Sequence, residues 1–336
     1  MRSRTMVLTL TLAVTVGTTV PAASPRESLL VSTAWLAEHL QDPDLVLLQV
    51  SSEADYKTSH IRGARYVPNN TLSTQRDGLS LEMLPPDVLR DRLASLGISD
   101  NSRVVAYFGP VPSWDKDYLS PVARIVFTLD YAGLGKRVSV LDGGLPAWVR
   151  ENRPVTDDIP APTTGILSPL KMRDTVVDAD YVLKSLKAPG VAVIDGRSGG
   201  FYDGVLTGGR KDSPHRAGHI AGALTVPFSA VTDDQFMLRS QQELEAIFAK
   251  AGVKPGDTII GYCHIGQQAT AMLFAAQTLG HPGLLYDGSF EDWSRRPNYP
   301  VDNPAAKGRG EPRRFGFREP SAPQTRAHTT GGSVAR

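Results

Sequence analysis

The chain has 336 residues, of which 41% are hydrophobic and 21% are charged, and its formal net charge is +1. This composition provides ample apolar surface for a core, and the length favours two domains over one. The near-neutral charge gives no electrostatic reason to expect nucleic-acid binding or an anionic membrane surface as a partner.

The N-terminal segment has the pattern of a secretory signal peptide. A basic start at residues 1–4 precedes an apolar stretch over Met6–Val20 and small residues over Pro21–Ser24. We therefore predict a signal peptide over residues 1–23 and an exported protein, periplasmic or extracellular. The apolar stretch is short for a transmembrane helix, with an uncleaved anchor as the alternative.

Short apolar runs then alternate with amphipathic stretches along the chain. In residues 30–154 the predicted strands are Leu45–Val50, Val104–Phe108 and Val138–Leu141, and the predicted helices are Thr33–Leu40 and Pro121–Ala132. In residues 175–302 the predicted strands are Val191–Asp195, Thr258–Tyr262 and Gly283–Tyr286, and the predicted helices are Gln241–Ala251 and Gln267–Leu279. This alternation predicts an α/β fold in which each domain is a parallel sheet flanked by helices.

Composition marks the segments between and after these domains. Residues 155–174 are rich in Pro and Thr and are predicted to form a linker. Residues 303–336 are rich in Gly, Pro and Arg with few apolar residues, and are predicted to be a disordered tail.

Three pairs of segments recur in the same order in the two halves. SHIRGARYVP (59–68) matches GHIAGALTVP (218–227), LASLGISDNSRVVAYF (93–108) matches FAKAGVKPGDTIIGYC (248–263), and LDGGLPAW (141–148) matches YDGSFEDW (286–293). A repeat of this length indicates a duplicated domain rather than a solenoid unit.

The single cysteine, Cys263, lies between a predicted strand and a predicted helix. In an exported protein a lone cysteine indicates a reactive thiol or intermolecular pairing, whereas a buried, inert cysteine is the alternative. The turn over residues 263–268 falls at the carboxyl end of the sheet, where open α/β folds bind ligands. Free N–H groups and the dipole at the helix start favour an anion there, either a thiolate or an anionic substrate.

Such a turn would ionise the thiol. From a pKa near 8.5, a downward shift of about two units would leave roughly three quarters of the thiol ionised at neutral pH. A protonated His264 would add to the shift, whereas a neutral, outward-facing histidine would not. No second cysteine and no helical His pair stands beside the turn, so we expect neither a metal nor another cofactor.

These elements together resemble the tandem-domain rhodanese sulfurtransferases, from about Val31 to Val301. The paired HI-x-G-A and DG-x4-W elements carry the resemblance, with a cysteine-headed loop, CHIGQQAT (263–270), in the second copy alone. The resemblance implies two tandem rhodanese-like domains and transfer of a sulfane sulfur from thiosulfate or 3-mercaptopyruvate to cyanide or a thiol. Cys263 would carry the sulfur as a persulfide in ping-pong catalysis. The cradle around the sulfur would comprise His264, Ile265, Gly266, Gln267 and Gln268.

The resemblance also implies that the first copy is catalytically inactive. Phe108 stands where that copy would need its cysteine, and residues 109–118 form a longer loop of different composition. The first domain would then pack against the second and wall its site. Trp114, in this loop, would either face the site or fill the interface.

The family's donor-binding side chains are only partly present. Phe201 stands where relatives carry an arginine that grips the anionic group of the donor. Gln267 and Gln268 stand where relatives carry a further cationic or hydroxyl side chain. Arg210 falls on the place of a second arginine that mercaptopyruvate-type relatives use.

Three other cations are weaker candidates for substrate binding. Arg197 follows Asp195 in a pattern that is typical of a structural ion pair. Lys116 and Arg216 have no aligned counterpart in the family.

Several repeated residues favour a structural role. His60 and His219 occur in both copies, including the inactive one, which indicates hydrogen bonds to a turn. Trp148 and Trp293 follow Asp-Gly turns and are expected to pack beneath them.

Two other functions remain open from the sequence. A cysteine phosphatase or arsenate reductase would need an arginine six positions after the cysteine, where this chain has Ala269. A sulfur carrier or binding module with a vestigial cysteine is the second alternative. The sequence favours a thiosulfate sulfurtransferase, with 3-mercaptopyruvate as the alternative donor.

Overall fold

The computed structural model describes residues 24–112 and 115–307, together with the backbone of residues 313–314. The predicted signal peptide, Trp114 and most of the predicted tail lie outside the described residues. Within the described ranges, no helix combines the length and the hydropathy needed to cross a membrane.

The first domain is built on a five-stranded parallel sheet, in the order β1-β7-β6-β2-β3 once its strands are numbered along the chain. Its strands are β1 (Leu30–Val31), β2 (Leu45–Val50), β3 (Arg65–Val67), β4 (Ser73–Arg76), β5 (Leu79–Met83), β6 (Arg103–Phe108) and β7 (Val138–Leu141). Its helices are α1 (Pro25–Leu29), α2 (Thr33–His39), α3 (Glu53–Thr58), α4 (Pro86–Ser95), α5 (Leu119–Tyr131) and α6 (Gly144–Arg150). β4 and β5 form an antiparallel hairpin outside the sheet.

The second domain repeats this arrangement, with a parallel sheet in the order β14-β9-β15-β16-β8. Its strands are β8 (Val176–Val177), β9 (Val191–Asp195), β10 (Leu206–Thr207), β11 (Gly209–Arg210), β12 (Ser213–Pro214), β13 (His219–Ile220), β14 (Leu224–Thr225), β15 (Thr258–Tyr262), β16 (Gly283–Tyr286) and β17 (Val301–Asp302). Its helices are α7 (Ala179–Ser185), α8 (Gly199–Tyr202), α9 (Gln241–Ala251), α10 (Gln268–Thr278) and α11 (Ser289–Ser294).

The predicted α/β fold with two parallel-sheet domains is confirmed. All six predicted strands are present, and only Val104–Phe108 begins one residue earlier, at Arg103. Their apolar side chains alternate between two clusters, because both faces of each sheet are covered. Gly280 ends α10 in the left-handed region, with a φ of 87°, as a C-terminal cap requires.

The segments outside the domains are partly ordered. Residues 157–174 contain no helix or strand and lie along the first domain, where the Gly165 N–H donates to the Ala94 carbonyl. Within the segment that was expected to be a disordered tail, Pro304–Lys307 forms a 3-10 turn, and the Ala305 N–H donates to the Asp203 carbonyl. The backbone of β18 (Arg313–Arg314) pairs with β10.

The two domains share one apolar core. Helix α5 packs against α10, and side chains such as Val126 and Leu273 belong to a single buried cluster that crosses the interface. The Thr270 hydroxyl donates to the Ser120 carbonyl at 3.3 Å, which joins the first turns of the two helices. The start of α5 is therefore held next to the turn that carries Cys263.

Candidate active site

The turn that carries Cys263 is anchored to the start of α11. The Cys263 N–H donates to the Ser289 hydroxyl at 3.1 Å. The Cys263 carbonyl accepts from the Phe290 N–H, and the His264 carbonyl accepts from the Glu291 N–H, each at 3.0 Å. Because these first two carbonyls point toward α11, the following N–H groups are free to face the cysteine side chain.

Three of those N–H groups lie close enough to the Cys263 sulfur to lower the pKa of its thiol. They belong to Ile265 and Gly266 in the turn and to Ala269 in the first turn of α10. Gly266 has a φ of 82°, and a β-carbon there would lie 2.8 Å from the Asp287 carbonyl oxygen. The geometry of this backbone ring therefore requires glycine at position 266. The convergence of N–H donors that the sequence predicted is present.

The predicted ionisation of the thiol is wrong. Cys263 is fully buried, and this burial raises the pKa of the thiol, although the amides of Ala269, Ile265 and Gly266 act to lower it. The nearby Asp117 carboxylate raises it further. Desolvation therefore outweighs the hydrogen bonds, and the cysteine is a neutral thiol at neutral pH.

His264 does not face outward, contrary to one of the two expectations for it. The residue is buried, and its ring meets the Phe201 ring edge-on with 4.5 Å between the ring centres. Burial and the Arg197 charge hold the pKa of His264 well below its usual range, and the same two causes lower that of neighbouring His215 to about 4. Both imidazoles are therefore neutral at neutral pH and supply no positive charge to the thiol.

Arg197 supports the end of the sheet rather than binding substrate. Its guanidinium is 2.6 Å from the Asp195 carboxylate and donates to the Gly218 carbonyl at 2.8 Å. The side chains of both members of this pair are fully shielded from solvent. We therefore assign Arg197 a structural role in place of the expected substrate-binding role, because the ion pair and the backbone contact engage its guanidinium.

The other candidate cations lie in different settings. Arg210 is on the β11–β12 hairpin, where its exposed side chain pairs with Asp212 at 3.1 Å. Lys116 is also exposed, 3.8 Å from Asp234. Arg216 donates to the carbonyls of the C-terminal part of the second domain at Trp293 and Tyr299. No contact of the described residues brings these cations to the cysteine turn, and the substrate role of Arg210 stays a prediction.

Sequence reasoning missed an arginine that connects the domains. Arg124 of α5 pairs with Asp287 at 2.7 Å and donates to the Gly266 carbonyl at 3.1 Å. It also donates to the Leu81 carbonyl, and the second Asp287 oxygen accepts from the Met83 N–H at 2.8 Å. The signal was an arginine inside the mainly apolar helix LSPVARIVFTLDY, which is unusual for a buried face.

A carboxylate from the first domain also contacts the cysteine turn. Asp117, two residues before α5, accepts a hydrogen bond from the Gln268 side chain at 3.2 Å. Gln267 is the N-cap residue of α10, and its carbonyl accepts from the Thr270 hydroxyl at 2.6 Å. One of the predicted loop residues 264–268, Gln268, thus contacts the first domain, where its side chain meets Asp117 rather than a cation.

The repeated histidines and tryptophans have the structural roles that were predicted. His60 and His219 are buried and contact the carbonyls of Tyr56 and Tyr202 at 2.8 and 2.7 Å. Trp148 and Trp293 are buried, and their indole N–H groups donate to backbone carbonyls. Phe108, at the end of β6 and at the place that matches Cys263 in the repeat, is also buried and contacts Tyr118.

The fold and the site together define a class of protein: two copies of one α/β domain, the second of which carries a cysteine in an amide-lined turn before a helix. The family model described as "Rhodanese-like domain" matches residues 32–151 and 178–296. The chain belongs to the rhodanese family, as two such domains in tandem.

Relatives of known name extend over most of the chain. A thiosulfate sulfurtransferase of Azotobacter vinelandii is 29% identical, over 82% of this chain and 97% of the relative. The sulfur carrier protein TtuD of Thermus thermophilus is 30% identical, over 81% and 95%. A 3-mercaptopyruvate sulfurtransferase of Escherichia coli is 29% identical, over 81% and 97%. These relatives support sulfurtransferase activity.

Solved structures share the fold. An anaerobic ergothioneine biosynthesis enzyme from Chlorobium limicola, in complex with trimethyl histidine, is similar with a TM-score of 0.72 and 22% identity, over 83% of this chain and 71% of that chain. The structure of YnjE is similar with a TM-score of 0.71 and 23% identity, over 83% and 69%. At this identity the likeness concerns the fold alone.

Proposed function

We propose that the protein transfers a sulfane sulfur from thiosulfate to a thiophilic acceptor through a persulfide on Cys263. The observation that carries this proposal is the ring of N–H donors from Ile265, Gly266 and Ala269 around the thiol. Hydrogen bonds to a charged group are worth about 1.5–3 kcal/mol each, so this ring favours an anionic sulfur over a neutral one whenever the anion forms.

The reaction has two half-reactions. After Cys263 loses its proton, the thiolate attacks the outer sulfur of thiosulfate, the S–S bond breaks, and sulfite leaves with the electron pair. The outer sulfur of the persulfide then carries the negative charge. In the second half-reaction, cyanide attacks that sulfur and leaves as thiocyanate, which returns Cys263 as the thiolate. A thiol acceptor would leave as a persulfide in the same way.

The burial of Cys263 sets a condition on the first step. With the thiol fully shielded, a donor reaches the sulfur only when neighbouring side chains move aside. A dianionic donor, once bound, lies at the N-terminus of α10, where backbone dipoles and N–H groups stabilise its charge. This backbone site supports thiosulfate, a compact dianion, although Phe201 stands where the family resemblance places an arginine.

The alternative donor, 3-mercaptopyruvate, needs a site for its carboxylate. Arg210 is the cation that family resemblance assigns to it, and its pairing with Asp212 would have to be exchanged for the donor. We therefore place thiosulfate first. Steady-state kinetics with each donor and cyanide test this order, and a higher kcat/KM for 3-mercaptopyruvate would reverse it.

A sulfur-carrier function is the second candidate. The relative named a sulfur carrier protein and the fully buried thiol both favour it. A carrier would take up one sulfur atom and release it slowly to cyanide, whereas an enzyme would complete many turnovers. Intact mass after thiosulfate treatment measures loading, and thiocyanate production measures turnover. Cys263→Ser is the matched control, because it removes the nucleophile with a minimal change in volume.

We also propose that the protein is exported, because residues 1–23 have the pattern of a signal peptide. Fractionation of cells that express the full chain tests this. Recovery of a shortened protein outside the cytoplasm would support export, and retention of the full-length chain in the cytoplasm would contradict it.

A further inference from the structure

The first domain places a carboxylate, that of Asp117, next to the turn that carries Cys263. One oxygen of Asp117 accepts from the Gln268 side chain at 3.2 Å, and Gln268 opens helix α10. The other oxygen is buried, lies beside the Ser120 hydroxyl, and has no well-formed hydrogen bond among the described residues. The charge is close enough to Cys263 to raise the pKa of its thiol.

The cations described around the turn are already engaged with other groups. Arg197 pairs with Asp195, and Arg124 pairs with Asp287. Lys116, the neighbour of Asp117 in sequence, lies 3.8 Å from Asp234. None of these recorded pairs involves Asp117, so a negative charge on this residue has no cation to balance it in the described part of the chain.

The remaining titratable groups near Asp117 do not supply a positive charge either. Asp115, on the same segment, carries a like charge and raises the pKa of Asp117. Cys263 is a neutral thiol at neutral pH, and both imidazoles, of His264 and His215, are neutral. An anionic donor that approaches the turn therefore meets the Asp117 charge.

We propose that Asp117 is a specificity-determining residue, whose charged carboxylate beside Gln268 disfavours anionic sulfur donors in proportion to their charge and whose protonation admits them. The inference rests on the proposed transfer through Cys263 and adds a donor rule, a pH condition on the order of its donors: thiosulfate, a dianion, is favoured below pH 6 and loses more than a monoanionic donor above it. It assigns to the inactive first domain a direct part in substrate selection, in addition to walling the site.

The protonation of Asp117 falls in an accessible pH range. Burial raises the pKa of Asp117 to about 6, although the nearby Ser120 hydroxyl and the hydrogen bond from Gln268 act to lower it. Below pH 6 the carboxyl is neutral and can donate a hydrogen bond to a bound anion. Above pH 6 it is charged and repels the donor. The penalty on anionic donors is therefore absent at acidic pH and appears as the pH rises through 6.

Coulomb's law gives the expected size. At an effective dielectric constant near 40, the repulsion between two unit charges roughly 6 Å apart changes an equilibrium constant by about a factor of ten. Since thiosulfate carries two charges, we expect charged Asp117 to lower its kcat/KM about a hundredfold. Benzenethiosulfonate has the same outer sulfur and a single charge, and it forms the persulfide with sulfinate as the leaving group. The decrease in kcat/KM for benzenethiosulfonate should be about half as large, on a logarithmic scale, as the decrease for thiosulfate.

The test compares wild type with Asp117→Asn and Asp117→Glu across pH 5–9, with both donors and cyanide. The asparagine keeps an acceptor for Gln268 but cannot ionise. For thiosulfate, the ratio of kcat/KM in Asp117→Asn to that in wild type should be near one at pH 5 and should exceed ten above pH 7. The change should fall mainly on KM, and Asp117→Glu should restore the wild-type pH dependence.

A ratio that does not change with pH, or that is equal for the two donors, would overturn the inference. Persulfide formation on Cys263, followed by intact mass in each variant, separates this result from failure of the proposed function. If wild type and Asp117→Asn both acquire sulfur while the ratio stays flat, the donor rule fails alone. If neither protein acquires sulfur at any pH, the transfer itself fails and the rule fails with it.

Discussion

Replacing Arg124 by methionine removes the guanidinium that joins the first domain to the cysteine turn. The side chains of Arg124 and Asp287 are only 3% and 5% exposed, so solvent does not screen their interaction. Methionine keeps much of the length and apolar volume of arginine. The substitution therefore isolates the loss of charge and hydrogen bonds from the loss of packing.

The expected destabilisation is large. Breaking a buried ion pair by removing one partner costs about 3–5 kcal/mol, because the remaining charge stays buried. Asp287 keeps the Met83 N–H, whereas the Gly266 carbonyl loses its hydrogen bond from Arg124, worth about 1 kcal/mol. We expect a decrease of about 4 kcal/mol in the free energy of unfolding, out of the roughly 5–15 kcal/mol that is typical of folded domains.

Urea unfolding followed by tryptophan fluorescence measures this loss, since each domain has a buried tryptophan at a matching position, Trp148 and Trp293. Asp287→Asn alone should also destabilise the protein. The double variant should be more stable than the sum of the single changes predicts, by about 2 kcal/mol or more. Arg90→Met is the matched control, because Arg90 pairs with Asp91 on the exposed face of α4 and should leave stability unchanged.

Arg124→Met should also slow sulfur transfer, because the Gly266 peptide loses its support and the turn is no longer held in place. An unfolding free energy within about 1 kcal/mol of wild type, together with no coupling between positions 124 and 287, would refute this account of the interface.

Three further changes test the turn itself. Gly266→Ala should lower the rate of sulfur loading at least about tenfold, because a β-carbon at this φ of 82° would press on the Asp287 carbonyl 2.8 Å away; an unaltered rate would show that the turn tolerates the side chain. Ser289→Ala should reduce the free energy of unfolding by about 1–3 kcal/mol, because the buried Cys263 N–H loses its acceptor. Alkylation of Cys263 by iodoacetamide should accelerate about tenfold per pH unit from pH 7 to 9, because burial raises the pKa of the thiol and the thiolate fraction grows with pH throughout this range. A plateau below pH 8 would contradict the raised pKa.

The central strands could be predicted from the sequence because each is a mainly apolar run of four to six residues bounded by turn signals. The edge strands β1, β8 and β14 could not, since two residues contain no period to detect. The internal repeat provided the domain count and the position of the cysteine turn. It also indicated structural roles for His60 and His219, which occupy matching places in both copies.

The contacts between the domains could not be predicted in the same way. Arg124 and Asp287 are 163 residues apart in sequence, and Asp117 and Gln268 are 151 apart. These pairs form because α5 packs against α10, and a residue pattern within one domain does not specify that packing. A buried arginine in an apolar helix was nevertheless visible as an anomaly, and it marks a position where an acidic partner was required.

The error in the ionisation of Cys263 has a specific physical cause. The sequence shows where a strand meets a helix, and from this it correctly predicted N–H donors around the sulfur. The degree of desolvation depends on every element that covers the turn, including Asp117 of the first domain. The stabilisation of a thiolate by nearby N–H groups was therefore predictable from the sequence. Whether this stabilisation exceeds the cost of desolvating the thiolate was not.

The most direct measurement is a crystal structure of the protein after treatment with thiosulfate. The account predicts one additional sulfur atom bonded to Cys263, within hydrogen-bond distance of the N–H groups of Ile265, Gly266 and Ala269, and loss of that atom after a soak in cyanide. An unmodified Cys263, or a bound sulfur that points away from these N–H groups, would contradict it.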